Sequence, residues 1–140
     1  MRAFILGPAL LSVLACCARD PAPEVPVDPR LQTLVSQPVG DFLAEARIAS
    51  LLARGCSTAV MPQEVFTALV IARETSPDRK PLVPALASRA ADAAFRIRVA
   101  DLRRRHGRDP FRDPTCDVIE AETRLGAPAT GFLVPVQAGS

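Results

Sequence analysis

Residues 84–106 read PALASRAADAAFRIRVADLRRRH, and Gly107 follows. The spacing predicts one long helix that begins near Pro81 or Pro84 and runs to His106, where glycine stops it. Leu86, Ala90, Ala93, Ala94, Ile97 and Leu102 recur along it and form its expected inward side. The alanines among them allow a neighbouring helix to approach closely. Arg103, Arg104, Arg105 and His106 fill the last turn, where cations interact favourably with the helix dipole.

The same periodicity predicts three further helices. One spans Val39 to Arg54, with Phe42, Ala46, Ala49 and Ala53 in register and Leu43, Leu51 and Leu52 widening the stripe. Gly55 ends it, because glycine tolerates the left-handed conformation that often follows a helix. A second fits Pro62 to Thr75, with Val65, Phe66, Leu69, Val70 and Ala72 on one face and Ser76-Pro77-Asp78 as a breaker. The last is announced by Asp113-Pro114, an N-cap followed by proline at the first helical position; it carries Val118, Ile119 and Leu125 and ends at Gly126. Gly131-Phe132-Leu133-Val134 is a docking segment beyond it. Strand signals are scarce and no internal repeat is present. The expected fold is all-α, a small four-helix bundle over residues 39–134 with a flexible tail at 135–140.

Composition narrows the function. The chain has 140 residues, 17 Lys+Arg against 15 Asp+Glu, and a formal net charge of +2. Its six aromatic residues are all Phe. So even a charge balance, with so few rings for base stacking, argues against a nucleic-acid partner. A domain of this size holds one core but no deep, many-walled active site.

The N-terminus reads as an address. Met1 and Arg2 precede an apolar run from Ala3 to Ala15, then Cys16-Cys17-Ala18-Arg19-Asp20. A positive residue, a short apolar stretch and small residues at a break are the parts of a secretory signal. As a helix the run would be roughly 20 Å long, short of the roughly 30 Å of a bilayer core. Val13-Leu14-Ala15-Cys16 resembles the lipobox of bacterial lipoproteins: aliphatic, permissive, small, then cysteine. The resemblance implies a signal peptide at 1–15, diacylglyceryl transfer to Cys16, cleavage after Ala15 and acylation of the new amino terminus. The competing reading is ordinary cleavage after Ala18, which gives a secreted soluble protein of the same fold. Cys17 has no assigned role, but in that family an Asp at its position favours the inner membrane, so the resemblance leans towards the outer one.

Residues 18 to 38 hold Pro21, Pro23, Pro26, Pro29 and Pro38 among Asp20, Glu24 and Asp28. Proline at that density reads as an extended tether, about 3 Å per residue, so that 16–38 is a lipidated linker. The expected location is the cell envelope, anchored to the membrane by lipid and facing the periplasm.

Beyond Cys16 and Cys17, two cysteines remain, both in the helical part. Thiols in an oxidising space usually pair, which makes Cys56 and Cys116 a disulfide. The metal alternative takes Cys56, Cys116 and His106 with Asp113 or Asp117 as zinc ligands, but the short paired spacing of structural zinc sites is missing. No metal and no cofactor are expected, and no Cys-x-x-Cys marks a redox site. The order helix, Cys56, two helices, then Cys116 with Glu120, Glu122, Gly126 and Gly131 is similar to an uncharacterised family of small exported helical bacterial proteins. That likeness covers about residues 39 to 133 and implies the fold and the disulfide, but no activity.

Catalytic signals are weak. His106 is the lone imidazole, and neither a Gly-x-Ser-x-Gly elbow nor a His-Glu-x-x-His pair is present. Glu120 and Glu122, two apart on a helix, point to different sides and read as solvated. The cluster Arg103, Arg104, Arg105, His106, Arg108 and Arg112 is the candidate interaction patch, for anionic head groups, wall polymers or an acidic protein face. Its plainer reading is a solvated helix end offset by Asp101, Asp109 and Asp113. The expected function is non-enzymatic, a lipid-anchored binding or assembly module. The alternative is a minor envelope enzyme using His106.

Overall fold

Five α-helices form among residues 28–75, 84–112 and 114–137, the parts of the chain that the computed structural model describes. They are α1 (Pro29–Ser36), α2 (Val39–Arg54), α3 (Gln63–Glu74), α4 (Pro84–His106) and α5 (Thr115–Arg124). A 3-10 turn (Pro128–Phe132) and two short strands, β1 (Ala59–Val60) and β2 (Val134–Pro135), complete them. The all-α expectation holds, but the count of four does not.

The fifth helix is α1, inside the stretch read as tether. Asp28 caps it by accepting the Arg30 backbone N–H at 2.9 Å. Pro29 sits at the helix start, where a missing N–H costs nothing. Leu34 is fully buried, and Arg30 donates to the Thr130 hydroxyl at 3.2 Å. The folded domain therefore extends N-terminal of Val39 to include α1. The signal, Cys16, Cys17 and the earlier prolines lie outside the described residues.

α2 and α4 form the main helix contact. At Gly40 a Cβ would stand 2.7 Å from Ala90 Cβ and 2.9 Å from the Ala90 carbonyl carbon, so only glycine permits this approach. Around the pair lie two apolar clusters. One joins Ile48, Leu52, Val99, Leu102, Val118 and Ile119; the other joins Leu34, Phe42, Ala49, Leu69 and Phe132. In the second, Phe132 meets Phe42 edge-on at 5.4 Å between centroids, and Phe66 lies 6.2 Å from both. The docking segment expected at 131–134 thus supplies a core ring.

The inward face of α4 differs from expectation. Leu86 and Ile97 are 59% and 65% exposed, and Ala87, Val99 and Leu102 are the buried residues. Alanines on several sides leave this helix little apolar contrast, so its rotation is set by the contact with α2. On its partly buried side Phe95 stacks on Phe111 at 6.5 Å, and the Arg47 guanidinium lies 4.1 Å from the centre of the Phe95 ring.

The glycines also divide. Gly107 and Gly126 adopt φ of +65° and +68° at the ends of α4 and α5, as stop signals should. Gly55 does not, with φ −97°. Its small size serves packing instead, because a Cβ there would fall 2.4 Å from Thr115 Oγ1. α5 begins one residue later than expected: Pro114 itself occupies the cap position in extended conformation, and Asp113 lies outside the described residues. β1 and β2 pair antiparallel, Ala59 opposite Pro135 and Val60 opposite Val134, and the Val136 N–H donates to Thr58 O at 2.9 Å. The start of the supposed flexible tail is therefore fastened.

Candidate functional site

The end of α2 and the first turn of α5 are joined covalently. Cys56 and Cys116 form a disulfide with Cα atoms 4.9 Å apart. Thr58 Oγ1 lies 3.2 Å from Cys56 Sγ and donates to Cys116 Sγ at 3.5 Å. With both sulfurs bonded to one another, they are not available as the ligand pair that the zinc alternative needs.

The bond sets α5 beside the last turns of α4, and there the basic cluster splits in two. Arg105 turns inward and donates to Glu122 twice, from Nε at 3.1 Å and Nη2 at 2.7 Å. His106 Nε2 lies 2.8 Å from the same carboxylate. Glu122 is 2% exposed, so it is not the solvated residue that sequence suggested, whereas Glu120 pairs with Arg124 at the surface. The hydrogen bonds to Glu122 hold the Arg105 guanidinium above its ordinary pKa. The remaining members face outward. Arg104 reaches Asp101 at 2.6 Å, Arg103 and Arg112 approach Asp109 at 3.7 and 3.9 Å, and Arg108 donates to the Pro114 carbonyl at 2.8 Å. The six residues share one end of the molecule but do not form one free basic surface.

Behind Glu122 lies a second buried carboxylate that sequence reading missed. Glu45, on α2, is 3% exposed. Arg98 Nε stands 2.7 Å from its Oε1, yet at an angle that leaves Nε without a hydrogen bond, while Arg98 Nη2 donates to Asp41 at 3.3 Å. A signal was present: Glu45 falls three residues after Phe42 and four before Ala49, on the same apolar stripe.

Burial pushes the Glu45 carboxyl above its ordinary pKa. Arg98 opposes that, and Asp41 and Glu122 add to it. The folded state therefore holds this proton more tightly than the unfolded chain does. Stability contributed at low pH should fall as pH rises from the ordinary carboxyl value of 4.5 through the raised one. Glu45→Gln is expected to flatten that slope of Tm against pH and to be the more stable protein above it. Thermal unfolding from acid to neutral pH checks this, and a wild-type slope unchanged in the variant contradicts it.

Between the two carboxylates α2, α4, α5 and residues 126–129 line a half-open cavity of about 290 Å³. Ile48, Leu52, Leu102 and Leu125 give it apolar walls, and Arg98 and Arg105 stand among the carboxylates. Leu125, read as a core residue, is 67% exposed at its edge. No helix among the described residues is long and apolar enough to cross a membrane.

Fold and site together define a small, disulfide-closed helical domain with a half-open cavity lined by charged residues. Comparison with protein families, with curated proteins and with solved structures finds no match to this chain.

Proposed function

We propose that the chain is a lipid-anchored binding or assembly module of the cell envelope. It is held by acylated Cys16, faces the periplasm, more at the outer than the inner membrane, and works by contact rather than catalysis. The observation that carries this reading is the Cys56–Cys116 disulfide, because such bonds form and persist in oxidising compartments. The lipobox-like Val13-Leu14-Ala15-Cys16 supports the anchor.

A contact role is supported by the outward side of α4, where exposed Leu86 and Ile97 lie beside Arg89 and Arg96. Those two arginines make no ion pair among the described residues. With exposed Arg103, Arg104 and Arg112 they favour an acidic envelope protein or an anionic polymer as partner. The enzyme alternative has one observation in its favour, the imidazole of His106 held by buried Glu122. However, no hydroxyl or thiol is hydrogen-bonded to His106 among the described residues, and Arg105 occupies the same carboxylate.

Fractionation of cells expressing wild type and Cys16→Ser tests the proposal. Wild type is expected in the membrane fraction with acyl mass on Cys16, and the variant in a soluble fraction without it. Wild-type chain found in the cytosol with Met1 retained overturns the reading.

A further inference from the structure

We infer that the outward face of α4 is a docking seam for an acidic amphipathic helix of a partner protein, laid along it as in a two-stranded coiled coil. The inference names a partner class for the contact role proposed above and rests on that role, but not on the anchor or the compartment.

The face carries its own repeat. Leu86, Ala93, Ile97 and Ala100 follow one another at steps of seven, four and three residues, and all four are exposed. Those steps put them on one stripe, the kind of seam along which coiled-coil partners interlock. A helix drifts by about 20° per heptad against such a repeat, too little over this length to carry the stripe off the face. Alanine at 93 and 100 lets a second backbone come close, while Leu86 and Ile97 give it larger side chains to pack on. Arg89, Arg96 and Arg103 run beside the stripe at seven-residue intervals, all exposed, which spaces their charges about 10 Å apart along the axis.

Charge selects the partner. Asp92 lies within a turn of Arg89 and Arg96 but pairs with Arg47 at 3.2 Å, and Asp101 pairs with Arg104 at 2.6 Å. Arg89 and Arg96 are left with no ion pair among the described residues, and Arg103 has one long approach to Asp109 at 3.7 Å. A helix with glutamates at the positions flanking its own seam would meet all three arginines at once. A second copy of α4 would not. An antiparallel copy sets the arginine row against itself, and a parallel one offers only Asp101, which Arg104 already holds. A bilayer surface fits less well, because interfacial helices bury a broad face of large apolar residues, and here Leu86 and Ile97 stand among alanines.

The test is fluorescence-anisotropy titration of two labelled peptides with the full chain carrying Cys16→Ser, which removes the anchor from the outcome. Both peptides are three heptads long with leucine at the seam positions; one has glutamate at the flanking positions and the other lysine. The acidic peptide is expected to bind, and the basic one about tenfold or more weaker. Salt raised from about 0.05 M to about 0.5 M should weaken the acidic complex, because exposed charges are screened. Arg89→Glu combined with Arg96→Glu should cost the acidic peptide about tenfold and turn the preference to the basic one, a reversal that damage to the fold would not produce. Arg124→Glu, an equal change of charge at an exposed position on α5, should leave binding as it was. Failure of the acidic peptide to bind, equal binding of the basic one, or an equal loss in Arg124→Glu each overturns the inference. So does a chain that binds phosphatidylglycerol vesicles but not the peptide, or one that forms a dimer that Ile97→Arg dissolves. None of these results bears on where Cys16 places the protein.

Discussion

Replacing both Cys56 and Cys116 with alanine should lower the stability of the oxidised domain by about 4 kcal/mol. The bond spans 60 residues of sequence, and the chain-entropy model gives about 4 kcal/mol for closing a loop of that length in the unfolded state. Against the roughly 5–15 kcal/mol typical of a folded domain this is a large share. Urea unfolding of the oxidised protein and the double variant measures the difference, with the slope reporting whether the unfolded chain has expanded. A change under about 1 kcal/mol would mean that the reduced unfolded state is already restrained.

Phe132→Ala should be comparably severe, at about 3–5 kcal/mol for a wholly buried ring. Phe132 touches Phe42 and Phe66, and its neighbour Gly131 packs within contact distance of Leu34, so its removal also loosens α1. A fall in Tm of more than about 10 °C is expected. Leu125→Ala is the matched control: Leu125 is 67% exposed, and its loss should change stability by no more than about 0.5 kcal/mol. Comparable losses in the two variants would contradict the assignment of Phe132 to the core.

Helices whose apolar residues contrast with their neighbours were legible in the sequence. α2 carries Phe42 and Leu52 on one stripe, and its bounds at Val39 and Arg54 follow from that pattern. α4 was legible as a helix but not in rotation. Apolar residues lie all round it, so its periodicity marks no unique face, and contact at Gly40 selects Val99 and Leu102. α1 was hidden by proline. Pro29 and Pro38 act at helix starts rather than as breakers, and the cap at Asp28 was the readable sign. The cysteine pair was legible because Cys56 and Cys116 are the two cysteines of the chain that lie beyond the N-terminal stretch. The cavity was not: the stripe of α2 marks Glu45 as facing inward, but the pairing of Glu45 and Glu122 with Arg98 and Arg105 of α4 is announced by no local pattern.

The crosslink also governs how the domain would answer a pull at its two ends. Force applied there enters through α1 and through β2, so the pairing of β2 with β1 is loaded first at the C-terminal end. Once β2 has come away from β1, the residues between Cys56 and Cys116 are bypassed, because tension crosses the sulfur bridge. About 200 Å of contour length is thereby withheld from extension. α3 and α4 both stay slack under load, and the cavity wall that α4 provides is shielded from it.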